Sequence, residues 1–379
     1  MASKKRTYKK AVKAISKMPP AVIITIILVL LVAAGILIYL YRDQIFKKAP
    51  TTTRVPRTAY VGDGELYVYY IDIGATGGDP GEAALIKTKS ADILIDSGQK
   101  DTYTWNSLHA FLDEYVTDGI IEYAIVTHPD TDHIGNMVKV YENYIVQKTI
   151  RYQGTKTATS LKFENKAEQV SEVTIITDFF TNDNSTYDLE IEDGVNLKFL
   201  QTGYYTSDDA NLRSIVFVLE AYNTRILFNG DAENKPEANY ASLCGDVDIM
   251  KMGHHGSKNG TYSNLIETIT PEYVIATNGD FLGNEYKHPT YEAISRVYTY
   301  SKRTFVYAVT GGNWENDCDG DGDFDLDDRA FERNGTIVVK CDKDGFNISR
   351  LSGLALIEIS TTHYWNNTEN TYRSLKHED

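Results

Sequence analysis

The sequence predicts an α/β fold carried on a single N-terminal transmembrane helix. Three observations predict it. From residue 64 onward, strand-like apolar runs alternate with helically spaced segments; each group of candidate metal ligands follows such a run; and an uncharged stretch precedes them all. With 379 residues, 42% of them apolar and 11% aromatic, the chain has material for one large or two ordinary domains.

Residues 1–20 carry seven basic side chains and no acid, and residues 21–41 carry no charge. A run of that length crosses the ~30 Å of hydrocarbon as a helix. The basic segment is then cytoplasmic and the remainder lies outside the cell membrane. A cleaved signal peptide is the alternative, opposed by the length of the run and by the lack of a small-x-small site after it. Removing residues 1–41 leaves 31 Lys and Arg against 53 Asp and Glu, a net charge of −22. Such a surface repels polyanions at long range and argues against a broad electrostatic grip on duplex DNA, leaving room for a local basic groove only.

Residues 42–63, with two prolines and the run Thr51-Thr52-Thr53, predict a tether to a domain over residues 64–360. Residues 66–74 and 83–87 predict paired strands, and Ile93-Leu94-Ile95 a buried strand closing on Asp96-Ser97-Gly98. Trp105, Leu108, Phe111, Leu112 and Tyr115 repeat at helical spacing. Ile120 to Val126 is a buried strand delivering Thr127-His128-Pro129-Asp130-Thr131-Asp132-His133-Ile134-Gly135 to a sheet edge. A helix over 136–146 follows, with Met137, Tyr141, Tyr144 and Ile145 on one face. Residues 150–200 are polar, with strand-like pieces at 173–177 and 195–200, and predict a variable excursion. A hairpin at 215–219 and 225–228 ends in Asn229-Gly230-Asp231, and strands at 247–250 and 271–276 run toward Gly253-His254-His255-Gly256-Ser257 and His288-Pro289. Residues 305–309 and 336–340 predict another hairpin, interrupted by an acidic insertion at 313–334, and 361–379 is a polar tail.

His128, Asp130, Asp132 and His133 cannot face one way on a helix, but they converge in a loop that leaves a strand. Imidazole suits Zn, Mn and Fe, while carboxylates suit harder ions and bridge pairs of them. Asp231, after a strand and a flexible Asn-Gly pair, is the natural bridge, and His288 a terminal ligand. One or two such ions bring the pKa of bound water toward neutrality, which points to hydrolysis at a phosphorus or carbonyl centre. No organic cofactor is called for. Three cysteines are too few for a disulfide scaffold; Cys318 and Cys341 could pair, leaving Cys244 free.

Asp72-Ile73-Gly74, Ile95-Asp96-Ser97-Gly98, residues 127–135, Phe228-Asn229-Gly230-Asp231, Lys251-Met252-Gly253-His254-His255-Gly256-Ser257 and His288-Pro289 resemble, in this order, the motif set of the metallo-β-lactamase superfamily. Within it they are similar to the hydrolase domain of the ComEC family of bacterial DNA-uptake proteins. The resemblance, over residues 66–359, implies an αββα four-layer metallo-β-lactamase sandwich with a metal site at one sheet edge. It implies that His128 and Asp130 serve a first metal, that Asp132, His133 and His288 serve a second, and that Asp231 lies between them. Asp96 matches an acid that orients ligands from behind. His254 and His255 match a double histidine of which one binds metal or protonates the leaving group, and Asp132 and Asp231 would position the attacking hydroxide. The first site departs from the commonest pattern. Asp130 replaces a histidine, and none occurs between Ile134 and Gly253, which leaves Asn211 or Ser214 in the place of a third ligand. So much oxygen implies weaker zinc binding there and tolerance of Mn²⁺. Channel function is not implied, because ComEC proteins carry many spans and this chain one.

Asp317, Asp319, Asp321, Gly322, Asp323, Asp325 and Asp328 fall at positions 1, 3, 5, 6, 7, 9 and 12 of an EF-hand type calcium loop, with Asp for the usual terminal Glu. Bound Ca²⁺ would pin the insertion, a structural role. The expected activity is that of a metal-dependent phosphodiesterase using Asp132, His254 and His255, with external nucleic acid as the substrate implied by resemblance. A cell-wall phosphodiester, such as a teichoic phosphorylcholine, and a non-catalytic metal-stabilised binding module are the alternatives. Nothing in the sequence fixes the oligomeric state.

Overall fold

Leu66, Val68 and Tyr70 alternate with Tyr67 and Tyr69 along Glu65–Tyr70 (β1), so the strand offers an apolar set to each face, and both faces are covered. Such two-sided burial recurs in two sheets and dictates four layers. The computed structural model describes residues 62–73, 81–154, 157–181, 184–278, 288–301, 304–309, 330–332, 335–352, 355–358, 364–366 and 371–373, with residues 19 and 22. The chain divides into two units, Met1–Thr52 and Thr53–Asp379, and the architecture below is that of the second. Among the described residues no helix is long and apolar enough to cross a membrane. The expected span at 21–41 lies outside them but for Val22, as does the calcium loop from Asp317 to Asp328.

Beside β1 in the first sheet lie Ala84–Lys87 (β2), Asp92–Ile95 (β3), Ile120–Val126 (β4), Ile145–Arg151 (β5) and Glu172–Ile175 (β6), in that order. β1 to β3 are antiparallel neighbours, whereas β3 to β6 run parallel, with Ile95 opposite Ile125 and Val126 opposite Arg151. Thr102–Tyr115 (α1), the short Thr131–Ile134 (α2), Met137–Asn143 (α3) and Ala158–Val170 (α4) make the crossovers. The second sheet orders Thr186–Glu192 (β7), Val195–Leu200 (β8), Phe217–Ala221 (β9), Thr224–Phe228 (β10), Ile249–Lys251 (β11), Tyr273–Ala276 (β12), Phe305–Ala308 (β13) and Ala330–Glu332 (β14), parallel from β10 onward. Asn234–Cys244 (α5), Ser263–Ile269 (α6) and Tyr291–Tyr300 (α7) join its parallel strands. Ile337–Asp342 (β15), Gly345–Ser352 (β16) and Ala355–Glu358 (β17) return to the first sheet beside β1, and Tyr364–Asn366 (β18) pairs with Thr371–Arg373 (β19) apart from both sheets.

Between the sheets Phe217 and Phe228 stack with ring centres 5.0 Å apart, and Tyr70 stacks on Phe228 at 5.7 Å. Burying each such side chain contributes about 2–3 kcal/mol. Outside, Leu108, Leu112, Met137, Val140, Phe163 and Ala167 cover the first sheet. Tyr240, Leu265, Ile266, Ile294 and Val297 cover the second. The αββα order is therefore built from burial alone.

Four local expectations change. The helix after the ligand loop ends at Asn143, because Ile145 and Val146 pair with Ile120 and Ile121; Ile145, expected on the helix's apolar face, is 64% exposed. Residues 150–200 are not an excursion but the end of β5, α4 and β6 to β8. The segments at 305–309 and 336–340 form no hairpin: β13 pairs with β12 and β14 in one sheet, and β15 with β1 and β16 in the other. Cys341, the offered partner of Cys318, is a buried free thiol, as is Cys244, and Cys318 lies outside the described residues.

Candidate metal centre

Parallel strands bring their carboxyl ends to one edge, and here those of both sheets meet. Asp96 follows β3, His128 to His133 follow β4, Asp231 follows β10, and His254 and His255 follow β11.

Asp231, buried, is the hub. The Nε2 atoms of four histidines face its carboxylate: His133 at 3.3 Å from Oδ1, and His255 at 3.3 Å, His254 at 3.6 Å and His128 at 3.8 Å from Oδ2. In each ring the other nitrogen already has an oxygen partner. For Nδ1 these are Asp96 at 2.7 Å from His133, Thr277 O at 2.7 Å from His255, Glu233 at 3.3 Å from His254 and Thr127 Oγ1 at 3.0 Å from His128. A ring tied at Nδ1 presents Nε2 in a fixed direction, as metal-bound imidazoles do.

Two donors on one tetrahedral ion, with bonds of about 2.0–2.1 Å, stand about 3.3 Å apart. His133 Nε2 lies 3.0 Å from His255 Nε2 and 3.8 Å from Asp132 Oδ2, and His255 Nε2 lies 3.4 Å from Asp132 Oδ2. With Asp231 these groups have the spacing to hold one ion. The second set is wider: His128 Nε2 stands 3.9 Å from Asp130 Oδ2 and 3.8 Å from Asp231. Fully buried, His128 Nε2 has no hydrogen-bond partner, which suits a nitrogen that a cation would complete.

The electrostatics suit positive charge. Burial opposes a charge on His133 and His255, yet Asp231 and its neighbouring carboxylates outweigh it, raising His133 well above the ordinary imidazole range and His255 to about 10. Burial likewise works to raise Asp231, but His255, His133, His254 and Lys251 hold it well below the usual carboxylate range. His128 is kept neutral, first by burial and then by His133.

Sequence reasoning missed three of the surrounding groups. Lys251, fully buried, places Nζ 2.5 Å from Glu82 Oε2 and 3.4 Å from Asp231 Oδ1, and donates to Gly230 O at 2.6 Å. Glu82, His133, Asp231 and His255 each set a ligand atom within 4.8 Å of the others. Glu82 nevertheless also accepts Thr277 Oγ1 at 3.2 Å, so it is better read as the counter-ion of Lys251. Glu233, on His254, is the third. The available signal was a lysine closing an apolar strand, Ile249-Met250-Lys251.

Among the expected residues, Asn211 sets Nδ2 3.5 Å from His254 Nδ1, and Ser214 Oγ accepts the Asp231 N–H at 3.0 Å, so both are tied up in support. His288 stands with its ring 6.4 Å from that of His255 and 5.7 Å from that of His254, and burial followed by those two histidines lowers it to about 3. It is His255 that stands beside Asp132, His133 and Asp231. His254 and His255 both adopt left-handed backbone, φ 48° and 53°, a conformation that costs about 1–2 kcal/mol per residue. Such outliers persist where the surroundings enforce them. Here the glycines on either side, Gly253 and Gly256, give the turn room to aim both rings inward.

A family model described as the metallo-beta-lactamase superfamily matches residues 76–277. Among curated proteins, the chain is 25% identical over 236 residues to Recombination protein 2 of Haemophilus influenzae, covering 61% of this chain and 27% of that one. It is 32% identical over 122 residues to Competence protein ComA of Neisseria gonorrhoeae, covering 31% and 17%. ComE operon protein 3 of Bacillus subtilis is 26% identical over 188 residues, covering 48% and 23%. The chain thus spans about a quarter or less of the length of these relatives. Solved structures similar to it include the Bacillus subtilis metallo-beta-lactamase fold protein YhfI, 12% identical, covering 65% of this chain and 98% of that one, TM-score 0.43. The short form of human tRNase Z is also 12% identical, covering 55% and 91%, TM-score 0.37.

Proposed function

We propose that this chain, which belongs to the metallo-beta-lactamase superfamily, is a metal-dependent phosphodiesterase that acts on nucleic acid outside the cell membrane. The observation that carries the proposal is the convergence of four Nδ1-anchored imidazoles on the buried carboxylate of Asp231. The competence proteins among its relatives support nucleic acid as the substrate. The basic segment at 1–20 and the uncharged run at 21–41 support anchorage with the domain facing outward.

His133, His255, Asp132 and Asp231 would hold one divalent ion, and His128, Asp130 and Asp231, with His254 facing the same carboxylate, a second. Bound there, zinc or manganese supplies an acidified water and charge to offset that developing on the phosphoryl oxygens. The protein's own part is orientation and proton transfer. Asp96 and Thr277 fix the rings of His133 and His255, and Lys251 balances the carboxylates of Glu82 and Asp231. His254 is 21% exposed, so it is the one of the four side chains that a leaving oxygen can reach, and Glu233 holds its Nδ1 at 3.3 Å.

The test compares wild type with Asp132→Asn on bis(p-nitrophenyl) phosphate with Mn²⁺ or Zn²⁺. Wild type should turn over and the variant should lose at least a hundredfold. Equal rates, or no turnover by wild type on this or on DNA and RNA, would defeat the proposal.

A further inference from the structure

We propose that Arg213 is an anion subsite of this centre, holding a substrate phosphate next to the one that reacts. The inference rests on the phosphodiester reading and extends it: the substrate is a strand with more than one phosphate. Among the described residues three cationic side chains other than histidine are buried, Arg151, Arg213 and Lys251. Lys251 has Glu82 at 2.5 Å and Arg151 has Glu168 at 3.5 Å. Arg213, only 5% exposed, has no carboxylate within 4.0 Å among the described residues. Leaving a buried guanidinium without a counter-charge is costly, and an anionic ligand removes that cost. Its hydrogen bonding is incomplete as well. Nη1 donates to Gln153 O at 2.5 Å, whereas Nε is buried without a partner.

Its turn adjoins the metal centre. The turn Asn211–Arg213 sets Asn211 against His254 and leads into Ser214, which takes the Asp231 N–H. Gln153 lies two residues beyond Arg151 at the end of β5, and His128 lies two beyond Val126, the partner of Arg151 at the end of β4. Gly154, at φ +78°, lets the guanidinium approach the backbone closely, since a Cβ there would lie 3.1 Å from Nη1. A guanidinium presents a planar fork suited to two phosphoryl oxygens at once. In a domain otherwise acidic, one such fork recognises a strand locally without attracting polyanions at range.

The competing account makes Arg213 a strut between the turn and Gln153. Arg213→Gln removes the charge but keeps a polar amide at the level of Nε, two bonds short of that carbonyl; Arg213→Met removes charge and polarity together. The full chain in detergent, with chelator present to prevent turnover, is titrated with a fluorescein-labelled thymidine hexamer and with the same hexamer carrying uncharged methylphosphonate linkages. Both variants should bind the charged hexamer at least tenfold more weakly than wild type, or 1.4 kcal/mol. Binding of the uncharged strand should not change. Unchanged affinity for the charged strand in Arg213→Gln, or an equal loss for both strands, overturns the inference. If wild type cleaves no diester with Mn²⁺ and the selective binding loss is still found, the subsite stands and the hydrolase reading falls. If cleavage is found and the selective loss is not, the reverse holds.

Discussion

Asp96 Oδ2 lies 2.7 Å from His133 Nδ1, with both side chains fully buried and Asp96 also accepting the N–H and hydroxyl of Thr127. The pair fixes which nitrogen of His133 faces the centre. Asp96 sits at φ 55°, left-handed backbone that Asn tolerates well, so Asp96→Asn isolates the charge from the fold. Removing such a partner typically weakens metal binding about 10–100-fold. A competition titration with a zinc chelator should show that loss, with kcat falling in parallel and metal-free Tm little changed. Undiminished zinc affinity would exclude this role for Asp96.

The two ligand sets are unequal, and metal binding should report it. His133 and His255 bring two nitrogens and meet Asp132 and Asp231 at 3.3–3.8 Å, while His128 and Asp130 face each other at 3.9 Å with Asp130 43% exposed. Titrating the stripped chain should give one tight zinc site and one weaker site that Mn²⁺ fills competitively. An ion bound at a hundred times its Kd stabilises the fold by about 2.7 kcal/mol, so chelation should lower Tm visibly. Two equally tight zinc sites would contradict the assignment.

Gly81 is a backbone test of the same loop. It sits at φ +70°, where an added Cβ would collide with the carbonyl oxygen of Asp132, and Glu82 N donates to that oxygen at 3.1 Å. Gly119, at φ +72°, has nothing within 4 Å of where its Cβ would be. Gly119→Ala should therefore cost only the left-handed strain, about 1–2 kcal/mol. Gly81→Ala should cost more and should also lower metal content by displacing Asp132. Equal metal content in the two variants would separate Gly81 from the centre.

The ligand loop was legible because its residues are consecutive and leave a continuous apolar strand, Ile120 to Val126. Asp231 and the double histidine were legible for the same reason. Lys251 and Glu82 were not, since one closes an apolar strand, the other opens one, and only the fold brings them together across 2.5 Å. That both His254 and His255 turn their rings to Asp231 depends on a left-handed turn that no periodicity reports. Helix α4 was hidden by sparse apolar positions: only Phe163 and Ala167 bury hydrophobic groups, and its Thr157 capping box closes with Ser160 where Glu or Gln is the usual signal. β13 and β15 each read as a buried strand, but burial on both faces does not say which sheet a strand joins.

Glu237 gives the chain a pH dependence of predictable sign. Burial pushes its carboxyl up to about 7, although the N–H groups of Thr261 and Tyr262 donate to its two oxygens at 2.6 and 2.7 Å. Thr261 in turn accepts the Gly253 N–H at 2.9 Å, so Glu237 braces the His254-His255 turn. Between about 4.5 and 7 the folded chain holds a proton that the unfolded chain has released. Stability attributable to this group therefore falls as pH rises through that window and is level above it, a change of about 3 kcal/mol. Glu237→Gln cannot titrate, and its amide turns one acceptor into a donor facing an N–H, so it should be less stable than wild type at pH 5. Chemical unfolding at pH 5 and pH 8 with chelator present should show the wild type losing more stability than the variant over that interval. Parallel losses in the two proteins would mean that Glu237 is ionised throughout.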